Sequence, residues 1–464
     1  MMNKPRVGIL PLYLELYKEV RPEFTETVRE FAEKVAARLQ QAGLEIELGD
    51  IGCVESEIER IAESLVDRGI DLLATLHLAY SPSLEAVEVL GDLKVPLVLL
   101  DTTPSPTFGP DATAEDMMAN HGIHGVQDLA CMLRRTTRQY DVIVGHIDNE
   151  EFVGDVVSAV KAARAKRHLN NARALVIGEE FKGMGDFRVD PAVLESVLGI
   201  EVQRVGMKSV AKAVDTITDS EVKDENSADR QRFDCSDVDE KVLSASNRVG
   251  LAVRRLVEEQ GATAFSANFE SFTREAGAPT VPFLEASRAM SRGIGYAGEA
   301  DAMTAAFVGA LLQGFVDVTF TEMFCPDWQE ETVFMSHMGE CNVGLAAETP
   351  RLVEKDYAFG DAENPAVPVF KLKPGPATLV NLTPGPKYCF TLIATAVEIL
   401  DRGPQAGFPD VPHFWIRPVN HSLRDTLRLY SEAGGTHHSA LILGNHMAAS
   451  DHLAAMLGIE CVQI

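Results

Sequence analysis

Two glutamates and a histidine stand at the ends of three successive segments between residues 293 and 337. The segment GIGYAGEADAMTAAFVGALLQGF presents Glu299, VDVTFTEMF presents Glu322, and ETVFMSHMGE presents His337. Much later, GGTHHSA adds the adjacent pair His437 and His438. Carboxylates and imidazoles are the groups that move protons near neutral pH and hold cations. Two oxygen and two nitrogen donors suit a divalent ion of intermediate hardness, Mn²⁺ first, with Co²⁺, Mg²⁺ and Zn²⁺ as alternatives. The spacings are not the short, cysteine-rich ones of structural zinc. A single histidine near a strand end is more often a structural residue, whereas two imidazoles after a Gly-Gly turn have little packing rationale.

These residues need elements to present them. Ala302, Met303, Ala306, Phe307, Ala310 and Leu311 recur at three- and four-residue steps, which predicts a helix with Gly298 and Glu299 at its start, where free backbone N–H groups favour a carboxylate. The run Val316 to Thr321 predicts a strand ending at Glu322, and Thr332 to Met335 a strand leading to His337. A rival pattern overlaps this stretch: Gly293, Gly295 and Gly298 spell G-x-G-x-x-G, a helix follows, and an acid ends the next strand, as at a dinucleotide site. Against it, the preceding PFLEASRAMSR reads as helix rather than strand, and Glu299 would aim a carboxylate at the pyrophosphate. The glycines equally serve a tight turn.

With 464 residues, 46% hydrophobic and 24% charged, the chain has the composition of a globular protein of several domains. A formal net charge of -27 and no basic patch argue against nucleic acid or an anionic membrane as partner. No run approaches membrane-spanning length, and the seven cysteines are scattered without C-x-x-C spacing, so reduced thiols in a cytoplasm are expected. Apolar strands alternate with amphipathic helices through the first two thirds, predicting doubly wound parallel-sheet α/β domains over 1–170 and 171–325. From 326 to 464 the segments become short and β-rich, split by Pro-Gly-Pro at Pro374 and Pro384, which predicts an antiparallel, barrel-like domain. The acidic stretch from Asp215 to Glu240 reads as a surface excursion or lid. GEEFKGMGDF lacks the spacing and the Lys-Ser/Thr pair of a phosphate-cradling loop, which favours an unphosphorylated ligand.

The blocks GYAGEADAMTAA, FTEMF, SHMGE, AGGTHH and, near the start, NHGIHG together resemble the L-arabinose isomerase family and, more distantly, L-fucose isomerase. The resemblance runs over nearly the whole chain. It implies two α/β domains and a β-rich third, a divalent metal (usually Mn²⁺), and trimers or hexamers with active sites shared between subunits. It implies Glu299, Glu322, His337 and His438 as metal ligands and Glu299 with Glu322 as the acid/base pair of an aldose–ketose isomerase working through an enediolate. It further implies His437 as a substrate contact and His124 as a substrate-binding histidine lent by a neighbouring subunit. Two departures touch specificity: Pro11 to Tyr13 replaces the family's polar Gly-Ser-Gln turn, and the loop from Phe181 to Phe187 is altered. A sugar epimerase or dehydratase using the same site, or a non-catalytic sugar-binding homologue, are the alternatives.

Overall fold

Short apolar strands followed by amphipathic helices build the first part of the chain. In a computed structural model describing residues 4–403 and 411–464, these strands are β1 (Arg6–Leu12), β2 (Glu45–Leu48), β3 (Leu72–His77), β4 (Leu97–Asp101) and β5 (Asp141–Val144). They form one parallel sheet in the order β2-β1-β3-β4-β5. Every residue of β3 is buried, which is why its sequence, LLATLH, is nearly continuous in apolar side chains rather than alternating. The helix Phe24–Gln41 buries Val28, Phe31, Ala32, Val35, Ala36 and Leu39, the stripe its periodicity predicts. The chain forms two compact units, and this sheet belongs to the first, Met1–Arg167 with Ala448–Gly458.

The second unit, His168–Met447 with Ile459–Ile464, carries the rest. Its first strands are β6 (Arg173–Ile177), β7 (Glu201–Val205), β8 (Asp234–Asp237), β9 (Ala264–Ala267) and β10 (Gly295–Gly298). All but β8 form a second parallel sheet, ordered β10-β9-β6-β7. The chain reverses its direction of winding between β6 and β9, and ligands in such sheets bind beyond the carboxyl ends of the strands at that point.

Then follow β11 (Val318–Asp327), β12 (Thr332–Ser336), β13 (Arg351–Glu354), β14 (Ala366–Val369), β15 (Gly375–Pro384), β16 (Phe390–Ile399), β17 (His413–Pro418), β18 (His438–Leu443) and β19 (Glu460–Gln463). The order β15-β18-β11-β12-β17-β16, with β15 also paired to β16, closes an antiparallel barrel, and β19 adds in parallel to β16. Met335, Phe370, Leu379, Phe414 and Leu441 lie in its core. The architecture is the expected one: parallel α/β sheets, then a closed antiparallel sheet. The predicted Pro-Gly-Pro breaks fall at the start of β15 and in the turn from β15 to β16.

Two local expectations are corrected. Gly295–Gly298 is a strand, and the following helix, Ala302–Phe315, starts three residues beyond Glu299. Its N-cap is Asp301, whose side chain accepts from the Thr304 N–H at 2.9 Å. The periodicity identified the helix correctly; the strand before it was too short and glycine-rich to read. Second, the acidic stretch 215–240 is not merely a surface excursion. Most of it is the helix Asp219–Arg232, opened by a Thr218/Glu221 capping box, and it buries Val222, Asn226 and Asp229. Asp229 lies wholly inside because Arg288 Nη2 reaches both its carboxylate oxygens, at 2.6 and 2.5 Å, and Asn247 donates to it. A charge becomes a core residue when its partner is buried with it.

Candidate functional site

Strand register assembles one side of the site. In the barrel, Glu322 of β11 stands opposite His438 at the start of β18 and opposite Ser336 at the end of β12, the residue before His337. Glu322 is therefore inside its strand rather than at a tip, and both neighbouring strands bring an imidazole to it. The parallel sheet supplies the other side. At the carboxyl end of β10 the chain turns through two left-handed residues, Glu299 (φ 62°) and Ala300 (φ 67°), before the helix capped by Asp301. Such a turn is costly for residues with a Cβ, and the costs concentrate at functional sites.

The ring nitrogens and carboxylate oxygens converge closely. His438 Nε2 lies 3.1 Å from Glu322 Oε1 and 3.6 Å from Glu299 Oε2. His437 Nε2 lies 3.4 Å from Glu299 Oε2 and 3.9 Å from Glu322 Oε1. His337 Nε2 is 3.2 Å from Glu322 Oε1. Each imidazole is held from behind by a carboxylate on Nδ1: Asp301 for His438 at 2.9 Å, Glu340 for His337 at 2.7 Å, and Asp186 for His437 at 2.6 Å. Glu340 is fixed in turn by the Tyr296 hydroxyl, which donates to it at 2.6 Å. This arrangement fixes the ring faces and leaves each Nε2 pointing inward. Phe187 stacks on the His438 ring, centroids 4.8 Å apart and planes 6° off parallel, while Phe320 meets His337 and His438 edge-on.

Electrostatics show what the cluster wants. Burial opposes ionisation of Glu322, yet His337 and His438 outweigh it and hold its carboxyl well below the usual range. Burial likewise disfavours charged His337, but Glu340 and Glu322 push its pKa well up. His438 moves the same way through Asp301 and Glu322. For His437, Asp186 and Glu299 overcome burial and raise the pKa to about 10. The carboxylates thus demand positive charge, which protons or a cation can supply.

A divalent ion fits this donor set. Glu299, Glu322, His437 and His438 each offer one ligand atom, all within 4.8 Å of one another, the only such group among the described residues. Around an ion with ligands at about 2.1 Å, adjacent donors stand about 3.0 Å apart and opposite ones about 4.2 Å, close to the separations above. His438 Nε2 is buried and faces the Glu322 and Glu299 carboxylates without a well-aligned hydrogen bond, a position that a cation would satisfy. His337 touches the group through Glu322 but is not one of the four, and His437 stands among the donors although the resemblance made it a substrate contact.

His124 belongs to the first unit, on the helix Ile123–Leu133, its ring edge-on to His121 at 5.6 Å. It borders a cavity lined also by Thr103, Phe108, Met117 and His121. Asp186, Phe187, Tyr296, Asp301 and Glu340 were not singled out from sequence. Asp301 before a helical run carries an N-cap signal, and Glu340 three residues after His337 an i, i+3 pairing signal. Asp186 lies some 250 positions from its partner and carries none.

Family models match on both sides of the site: the L-arabinose isomerase central domain over residues 184–313 and the L-arabinose isomerase C-terminal domain over 317–460. The chain belongs to the L-arabinose isomerase family. An L-arabinose isomerase from Nocardioides sp. is 25% identical over 96% of this chain and 91% of the relative. One from Klebsiella pneumoniae is 26% identical over the same shares, and one from Oceanobacillus iheyensis 24% over 97% and 96%. Among solved structures, a solute-binding protein of an ABC transporter from Agrobacterium vitis, bound with alpha-D-tagatopyranose, covers 67% of this chain and 89% of that one at 12% identity. The TM-score is 0.16.

The glycines of the dinucleotide-like pattern have packing duties instead. A Cβ on Gly295 would sit 2.1 Å from the Ala305 carbonyl oxygen, and one on Gly298 would sit 2.8 Å from His337 Cε1. They let β10 approach the helix Ala302–Phe315 and the imidazole.

Proposed function

We propose that this protein is a metal-dependent aldose–ketose isomerase acting on a free, unphosphorylated sugar, an L-arabinose- or L-fucose-like pentose or hexose. The observation that carries the reading is the facing pair Glu299 and Glu322 with imidazole nitrogens between them, in a chain of the L-arabinose isomerase family. Glu299, Glu322 and His438 would hold the ion, with His337 as the fourth ligand by family resemblance; Mn²⁺ comes first, ahead of Co²⁺, Mg²⁺ and Zn²⁺. When bound, such an ion polarises the sugar carbonyl and so acidifies the neighbouring C–H.

The protein's own groups move the protons. One glutamate removes the C–H proton and returns it to the adjacent carbon of the enediolate, and the other carries the hydroxyl proton between oxygens. The Nδ1 carboxylates keep the imidazoles from turning away, and Phe187 and Phe320 shield them from water. His124 would be lent by a neighbouring subunit of a trimer or hexamer. A reducing cytoplasm is proposed from the scattered cysteines, which lack C-x-x-C spacing; among the described residues no helix is long and apolar enough to cross a membrane.

The test is a panel of pentoses and hexoses with and without chelator, following ketose formation alongside metal analysis. The expected result is ketose from at least one aldose, lost on chelation and restored by Mn²⁺. Epimer or dehydrated product would assign the site to that chemistry. Sugar binding without turnover would make the protein a sensor, and tightly bound NAD(P) without metal would overturn the reading.

A further inference from the structure

Of the three carboxylates that hold the imidazoles, two are built in and one arrives on a loop. Glu340 and Asp301 are fully buried, at 1% and 0% exposure, beside their partners. Asp186 is half-exposed and stands in the connection between β6 and β7, on the other side of the site from the barrel. The foot of this loop is tied down: Asn268 Nδ2 donates to the Glu179 carbonyl at 2.9 Å, and Glu180 pairs with Arg188 and Arg204 at 3.1 and 2.7 Å. Beyond that foot, Lys182, Gly183 and Gly185 are exposed, with Gly183 in the left-handed region at φ 92°.

At the far end, one oxygen of Asp186 grips His437 twice, accepting from its backbone N–H at 2.9 Å and from ring Nδ1 at 2.6 Å. The next residue, Phe187, covers His438. We propose that Asp186 is a positioning residue acting through His437: with the loop seated it turns Nε2 of that imidazole toward the two glutamates, making His437 a conditional member of the metal-binding group. The inference rests on the metal-centred reading above and deepens it. Two of the imidazoles are held whatever the loop does; the third is available only while the loop is docked, so loop 178–190 governs how tightly the ion is held.

The experiment titrates the full-length protein with Mn²⁺ alone by calorimetry, for wild type, Asp186→Ala, Asp186→Asn, His437→Ala and the double Asp186→Ala/His437→Ala. Asp186→Ala should weaken Mn²⁺ binding about 10- to 100-fold, the usual cost of losing an outer partner of a ligand, with an unchanged melting temperature. Asn keeps an acceptor oxygen at the same place and should stay within about threefold of wild type. The double variant should bind no more weakly than His437→Ala, because both changes remove one interaction. Unchanged affinity in Asp186→Ala, an Asn variant as weak as Ala, or additive losses in the double variant would each overturn the proposal. Wild type that takes up no Mn²⁺ would instead sink the metal reading itself.

Discussion

Asp301 shows how much one side chain does here. One carboxylate oxygen caps the helix Ala302–Phe315 and the other holds His438 Nδ1, so the fold's own helix start fixes a site residue. Glu299, two positions earlier, is held by the turn and not by helix N–H groups. That separation bears on a prediction at this scale. Glu299→Gln or Glu322→Gln should lower turnover by about two to four orders of magnitude, because an amide accepts no proton and ligates poorly. Circular dichroism and the urea midpoint should remain close to wild type; near-wild-type activity in either variant would refute the assignment. His337→Ala and His438→Ala should instead weaken Mn²⁺ binding, with activity partly recovered at high Mn²⁺. The residues that could do the chemistry were visible in sequence because they close apolar segments within blocks that resemble one family, although Glu322 lies inside its strand. Of the groups that orient them, Asp301 and Glu340 left only faint local signals, and Asp186 is an ordinary acid until the fold brings the His437 ring to it.

Elements were read with uneven success, for physical reasons. Long amphipathic helices such as Glu55–Asp67, with Ile58, Ile61, Ala62 and Leu65 inward, announce themselves by their period. The strand GYAG does not, because two of its four residues are chosen for their lack of a side chain. The two glycines make different predictions. Gly295→Ala would push a methyl against the backbone of a packed helix, 2.1 Å from Ala305 O and 2.4 Å from Gly309 N. It should destabilise the protein by about 3 kcal/mol, the upper end for overpacking, read as a lower urea midpoint. Gly298→Ala meets only the His337 ring, at 2.8–2.9 Å. It should leave the midpoint nearly unchanged and weaken Mn²⁺ binding about tenfold. Equal effects of the two substitutions on stability would show that the ring is as rigidly placed as the helix. The helix Asp219–Arg232 escaped the sequence reading because its buried face is polar, a pattern that hydrophobic periodicity cannot register.

At the scale of the whole molecule, His124 lies in the first unit and Glu299 in the second. If a neighbour lends His124, inactive His124→Ala subunits mixed with inactive Glu299→Gln subunits should regain part of the activity after exchange, measured as ketose formed. No recovery despite proven exchange would defeat the shared site and leave the metal assignment standing. The first unit has a further property. Residues 448–458 belong to it, and His452 Nδ1 meets Asp141 Oδ2 at 2.5 Å. The ribosome therefore releases the opening five-stranded sheet hundreds of codons before the helix that completes its unit. The unit begun first therefore waits for residues made after nearly all of the second: when 448–458 emerge, every barrel strand except β19 has been made. A nascent chain halted before codon 448 would hold a complete set of candidate metal ligands and an unfinished first unit.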